Sequence, residues 1–551
     1  MLSKISEQRM HAVRWVLVIG WGVLILSLFF DPISYVLTDP ANTWSPLADQ
    51  TLDKCIEVQG NCVSFEPYAI GARIFWGMVV PAGIFIVFVF GHETWRRICP
   101  LYFFSQIPRA LGLPPRASIK SFPWLEKNHF YVQFGLFFLG LNGRILFVNS
   151  SRPILGSFLI LTLLSSAGVV WFLGGRSWCH YICPFGMVQT VFTGPRGLLD
   201  SQAHTSGPKG LTQSMCRTVD ATKEKSACIS CKSLCMDIDS EKSYWEHLQK
   251  PGRRLVQYGY LGLVIGYFLF YWLYAGNFDY YFSGVWSHEA TALDKLWQPG
   301  FYWFGNAIPI PKLVAAPMTL GAFAIATHHI CTRLEKHYRG YLKSEFPHLS
   351  SEQGQHRLFS FCTFLAFNIF FIYGGRPEIN GWPLVLQLTF QAMIALVSGI
   401  WLYRTWERNP EQYLRESVAD KLKRQLAKLP SELLKPLISG SIEQLTANEI
   451  YVLAKTLPHT AQYDRRKIYE GVLQETLEAE QVTSANSLIR LHYLQEQLEI
   501  TPQQHYDLLA KLTAATGIQQ AIHPIAPPLP RTVLRSGTGL QRTVMRHDRT
   551  P

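Results

Sequence analysis

Between residues 11 and 403 long apolar runs alternate with shorter polar loops, and beyond residue 403 that pattern stops. A helix needs about 20 mostly apolar residues to cross bilayer hydrocarbon, where backbone groups find no water. Eight runs meet or approach that length: residues 11–31, 70–91, 130–149, 154–174, 254–275, 313–331, 358–374 and 383–403. They predict an all-α polytopic membrane protein embedded in the lipid bilayer. The first run is long and lacks a small-residue cleavage site, so it reads as an uncleaved anchor.

Residues 404–522 have a different rhythm. Polar and apolar positions recur at helical spacing, with Leu488, Leu491, Leu494 and Leu498 on one face. Thr446 with Glu449, and Thr501-Pro502 with Gln504, are helix-start signals. A small helical region that binds a protein partner or regulates the membrane part is expected. Residues 523–551 are rich in proline and arginine without core-forming periodicity, which predicts a disordered basic tail.

Composition agrees with this division: 16% of residues are charged and 48% hydrophobic, in a chain of 551 residues. The formal charge of +12 sits largely in loops beside the spans, so it does not argue for a nucleic-acid partner. Arg96, Arg97, Arg109, Arg116, Lys120 and Lys127 lie between spans two and three, and Lys and Arg are again frequent between spans four and five. The other loops hold few basic residues. By the positive-inside rule both termini are cytoplasmic, in a bacterial inner membrane.

The chain then divides into two spans with an exoplasmic loop (1–92), a cytoplasmic Cys-Pro loop (93–129), spans three and four (130–174) and a cytoplasmic cysteine-rich region (175–253). Spans five to eight (254–403), the cytoplasmic helical domain (404–522) and the tail (523–551) follow.

The cysteines follow the same geography. Cys55 and Cys62 fall in the first exoplasmic loop, where an oxidising compartment favours a disulfide. Cys331 and Cys362 read as small core residues of spans six and seven. The others, Cys99, Cys179, Cys183, Cys216, Cys228, Cys231 and Cys235, fall on the cytoplasmic side.

Cys179-His180-Tyr181-Ile182-Cys183-Pro184 is a C-x3-C-P unit directly after span four, the closing half of a bacterial iron–sulfur ligand run. Cys228, Cys231 and Cys235 form C-x2-C-x3-C, which wraps three corners of a cubane; Cys216 and Cys183 are both candidates for the fourth. A closed zinc site of four thiolates is the alternative, against which C-x3-C-P at a membrane exit weighs. Cys99-Pro100 after span two and Cys183-Pro184 after span four are each followed by an apolar stretch with a glutamine and then Pro-Arg, a degenerate internal repeat. Counting back four positions from each pair sets Trp95 against Cys179, as if the first copy lacked a ligand, for which His92 or a cysteine from the long loop is the substitute. Cys99 is either a ligand or a packing residue.

Trp178-Cys179-His180-Tyr181-Ile182-Cys183-Pro184-Phe185-Gly186 after a span, with a cysteine-rich loop beyond, resembles the membrane-bound ferredoxin family of NosR, NapH and CcoG (FixG/RdxA) over roughly residues 70–260. The resemblance implies electron conduits with [4Fe-4S] clusters on the cytoplasmic face, and Cys179, Cys183, Cys228, Cys231 and Cys235 as ligands. Two departures leave cluster number and subfamily open. The first Cys-Pro unit has no partner cysteine, and no full C-x2-C-x2-C-x3-C-P run occurs.

The expectation is an electron-transfer component, rather than a self-contained catalyst, with one or two [4Fe-4S] clusters. It would work between a cytoplasmic or quinone-pool donor and a membrane or exoplasmic redox protein. A zinc-thiolate scaffold and a redox-sensing transporter are the rivals. His328 and His329 offer a haem or quinone contact, with an interfacial polar cap as the favoured reading. Asn142 and Arg144, costly in lipid, are expected to face the bundle. Tyr280, Tyr281, Trp286, Trp297, Tyr302 and Trp303 read as an interfacial aromatic belt.

Overall fold

In the computed structural model of the protein the described residues are 7–45, 47, 55–63, 66–149, 151–199, 217–220, 223–226, 240–287, 293–346, 350–428, 442, 445–456, 462–478, 491–492 and 494–516. Two compact units divide the chain, Met1–Arg424 and Gln425–Pro551. The expected Cys216, Cys228, Cys231 and Cys235, together with Leu488 and the tail 523–551, lie outside the described residues.

Among the described residues, eight helices of the first unit are long and apolar enough to cross a membrane: Arg9–Phe29, Ile70–His92, Pro123–Val148, Arg152–Leu173, Leu255–Ala275, Lys312–Glu345, Ser351–Ile379 and Leu384–Trp406. The fold is all-α and polytopic. The third span starts earlier than its apolar run, because Pro123 at the first turn opens a helix through polar residues. The sixth runs far past its apolar stretch, and Glu335 on that extension binds Arg254, Arg339 and the Tyr258 hydroxyl.

Burial shows which span is central. Span five is buried over 78% of its apolar window, span eight over only 17%. Gly262 and Gly266 let span five approach span six closely, since a Cβ at Gly262 would collide with Thr327 and Phe323. Gln257 fixes span five to span seven through the Phe359 carbonyl and the Thr363 hydroxyl.

Asn142 is buried and Arg144 lies over Trp76, 4.1 Å from its ring centre, with Tyr267 and Trp286 around it. Both face the bundle. The aromatic loop divides: Tyr280 and Tyr281 are core residues, whereas Trp297 and Trp303 are exposed. A disulfide joins Cys55, just before β1 (Ile56–Val58), to Cys62 within β2 (Asn61–Val63) of a short hairpin. Cys331 and Cys362 are buried and share a hydrogen bond between spans six and seven.

At the end of the first unit that carries Cys99 and Cys183, four charges close on one another. Glu241 accepts from Arg196 and Arg408, and both arginines also reach Glu416. The attraction and hydrogen bonds among these two cations and two anions offset the cost of desolvating Glu241, which is buried.

In the second unit both helix-start signals hold. Thr446 and Glu449 bond each other's backbone N–H before Ala447–Thr456, and Thr501 and Gln504 do the same before Pro502–Thr516. Leu491, Leu494 and Leu498 are buried on one face.

Candidate functional site

Spans two and four end in the same way. Gly91 has φ 73° and ψ −179°, and Gly174 has φ 74° and ψ 177°. That left-handed conformation suits glycine and breaks each helix. Trp95 then follows Gly91 by four positions, as Trp178 follows Gly174. Next come Cys99 (φ −63°, ψ 117°) and Cys183 (φ −53°, ψ 120°), each preceding a helix that starts with proline: α1 (Pro100–Ser105) and α2 (Pro184–Thr193). Proline fits there because its missing N–H is unneeded in a first turn.

The two halves clasp each other. The helix α1 packs on span four, and α2 packs on span two. Carbonyls released at each break are capped by the other half: Arg116 and Ala117 N–H donate to the Phe172 carbonyl, Leu198 N–H to Phe88 and Leu199 N–H to Val89. Trp95 of the first half meets Phe185 of the second at 4.8 Å between ring centres. Arg176 of the second half covers Tyr102 of the first at 4.4 Å. The expected internal repeat is therefore a structural one.

Its alignment differs from the one obtained by counting back from Cys-Pro. Trp95 corresponds to Trp178, not to Cys179. Between tryptophan and cysteine the second half has one more residue, absorbed in the π turn Trp178–Ile182. Cys183 N–H accordingly reaches back five residues to the Trp178 carbonyl at 2.7 Å, whereas Cys99 N–H reaches back four to Trp95 at 2.9 Å. A one-residue insertion widens a helical turn in just this way, and such turns recur at functional sites. The second half is one residue longer, and its wider turn presents Cys179.

Cys179 packs against Cys99 and Tyr102 on one side and against Trp178 and Cys183 on the other. Three thiols from two halves of the chain thus converge. Burial, then the neighbouring Cys179, pushes the Cys99 thiol up to about 12, against backbone N–H groups of Tyr102 and Leu101 that favour the thiolate. Burial also pushes Cys183 up, with Cys179 and Cys99 adding to it, while Phe185 and Gly186 N–H groups oppose. Three adjacent thiolates need a cation among them. Among the described residues no group of three or more His, Cys, Asp or Glu side chains is placed so as to hold a metal ion.

The π turn is held from outside by residues that the sequence did not single out. Gln133 of span three donates to the Cys179 and His180 carbonyls at 3.4 and 3.2 Å. Gly186 lets these groups close, since a Cβ there would lie 2.6 Å from Gln133 Nε2 and 2.7 Å from the Cys179 carbonyl. Cys179 and His180 also form part of the wall of a cavity of about 130 Å³ between span three, α2 and α3 (Ser240–His247). His92 is buried and bears on His180. His328 is half-buried, and His329 is exposed midway along its helix. His356 is a structural tie: its two ring nitrogens meet the Tyr244 hydroxyl and the Thr405 carbonyl, both at 2.8 Å.

A protein-family profile for a 4Fe-4S binding domain matches residues 157–200, which contain span four's end, Cys179, Cys183 and α2. No curated protein and no solved structure matches the chain. The match supports an iron–sulfur protein of the ferredoxin type, with a 4Fe-4S cluster as its cofactor. The donor set fits: soft sulfur donors, of which Cys99 and Cys183 are buried and each have backbone N–H groups directed at them.

Proposed function

We propose that this protein carries electrons at one face of a membrane through a [4Fe-4S] cluster anchored by Cys179 and Cys183. Cys228, Cys231 and Cys235 complete the ligand set from the loop, and Cys99 and Cys216 are the further ligands of that cluster or of a second one. The observation that carries this reading is the convergence of Cys99, Cys179 and Cys183 within a segment pair whose second half matches a 4Fe-4S binding domain. When bound, such a cluster supplies one-electron uptake and release.

The chain's own residues have distinct tasks. Cys179 and Cys183 hold the group on a turn stiffened by Gln133 and by the Gly174 break. Trp95, Phe185 and Trp178 wall the thiols from lipid and water. The Phe185 and Gly186 N–H groups stabilise negative charge on the Cys183 sulfur, an arrangement that raises reduction potential.

Basic residues between spans two and three support a cytoplasmic position for this face in a bacterial inner membrane. The electron partners are a cytoplasmic or quinone-pool donor and a membrane or exoplasmic redox protein, and the second unit docks a protein partner. Low-temperature EPR on anaerobically purified chain tests the reading. A dithionite-reducible signal in the wild type and its loss in Cys183→Ser are expected; no reducible signal in an iron-loaded wild type contradicts it.

A further inference from the structure

Spans six and seven form a helical hairpin with one cysteine on each arm, and the two cysteines meet. The arms are Lys312–Glu345 and Ser351–Ile372. Near the connecting loop, side chains set their register: Arg339 donates to the Gln355 side-chain oxygen at 2.6 Å, and Arg357 to the Tyr338 hydroxyl at 3.4 Å. The arms run close there, since a Cβ at Gly354 would lie 3.0 Å from Leu342 Cδ1 and 3.3 Å from Arg339 Cγ. About two helical turns further from the loop, the same register brings Cys331 opposite Cys362. Their thiols share a hydrogen bond, and both residues belong to the main apolar core.

A single buried cysteine acts as a small core hydrophobe. Two that face each other across separate helices, thiol on thiol, are also the two halves of a disulfide. That bond needs sulfurs about 2.05 Å apart and Cβ atoms about 3.5–4.5 Å apart, and thiols already in hydrogen-bond contact approach the arrangement. The two sulfurs differ in access. Cys362 is 2% exposed and Cys331 is 7% exposed, at the margin of the exposed Ile330 and Leu334. A small reagent therefore meets Cys331 first.

We propose that Cys331 and Cys362 are a reversible dithiol–disulfide pair that a peroxide closes. The Cys331 sulfur attacks the peroxide and the O–O bond breaks; one oxygen leaves as water with the thiol proton, and the other stays on sulfur as a sulfenic acid. The Cys362 sulfur then attacks that sulfur and the S–O bond breaks, releasing a second water that carries the Cys362 proton. The two thiols give up two electrons, and the peroxide takes them. Exchange with a dithiol reductant reverses the bond. Glu335, one turn along span six from Cys331, already ties span five to span six through Arg254 and the Tyr258 hydroxyl. A disulfide one turn away joins span seven to the same point, so oxidation fixes three spans to one another. None of the thiols assigned to the cluster takes part, and the pair stands independently of that reading.

The full chain in detergent, purified anaerobically, is treated with excess hydrogen peroxide. Its remaining thiols are alkylated in denaturant and its peptides are read by mass spectrometry without reduction. A peptide pair linked through Cys331 and Cys362 is expected, absent before peroxide, present in most chains after it, and lost on adding dithiothreitol. The oxidised chain should unfold at a higher temperature than the reduced one, and Cys362→Ala should abolish that difference. Alanine keeps the position small and apolar, so this variant should fold. The Cys183→Ser chain should form the same link whatever its iron content, which separates failure of this proposal from failure of the cluster reading. Recovery of both cysteines as alkylated thiols after peroxide, their linkage to other cysteines instead, or Cys331 carried to sulfinic acid without the link would overturn the proposal.

Discussion

The two membrane-exit turns have the same frame and opposite chemical contents. Both begin at a glycine with φ near 74°, pass a tryptophan and end at a buried cysteine before proline. They differ by one residue. In the first, an ordinary turn carries Arg96, Arg97 and Ile98; in the second, a π turn carries Cys179, His180, Tyr181 and Ile182. The one extra residue goes with a turn that presents Cys179 beside Cys99 and Cys183. The frame is common to both turns, and only the widened one presents a second thiol.

The sharpest way to break that comparison is to remove the insertion. Deleting His180 gives the second turn the length of the first while keeping all the cysteines, and cluster content is expected to fall to background. Cys99→Ser is the milder complement: if Cys99 is one of several donors, a signal altered in shape should survive, as read by EPR.

Next in size are the changes that test the shared frame. A Cβ at Gly197 would lie 2.5 Å from the Gly91 backbone nitrogen, where nothing flexible can yield. Gly197→Ala is expected to destabilise the first unit by about 1–3 kcal/mol, seen as a lowered unfolding midpoint in detergent. Gly91→Ala and Gly174→Ala should each lose about 1–3 kcal/mol, and by similar amounts, because both force a Cβ into a region with positive φ and ψ near 180° that is open essentially to glycine alone. Unequal losses would show that the halves only resemble each other.

The smallest effect concerns the charge knot behind the second half. Burial alone would raise the Glu416 carboxyl, but hydrogen bonds and charge from Arg408 and Arg196 outweigh it and hold it below the ordinary range. A depressed folded value contributes stability that is present above the unfolded value and is lost as pH falls through the folded one. Stability should therefore decline on acidification below about pH 4.5, and Glu416→Gln should flatten part of that decline. Thermal unfolding between pH 3 and 7 checks it.

Much of this was legible in the chain. Apolar run length marked all eight spans because hydrocarbon imposes a single length rule. Thr446 with Glu449 and Thr501 with Gln504 marked helix starts, because a capping box is a local bond that needs no tertiary context. The repeat was legible, but not its register. Cys-Pro marks the end of each turn in sequence, whereas the anchor at the other end is a glycine conformation visible only in the backbone. Arg253 and Arg254 are adjacent cations in sequence; only the fold shows that the first lies among aromatic rings and the second pairs with Glu335. Gln133 and Gly186 carried no signal, since each acts by touching a carbonyl distant in sequence.

The most direct test of the central claim is iron and acid-labile sulfide content per chain in anaerobically purified wild type, Cys179→Ser and Cys183→Ser. The account predicts about four irons and four sulfides for each cluster in the wild type, and loss of a cluster in both variants. Zinc without sulfide, or wild-type iron and sulfide in both variants, would contradict it.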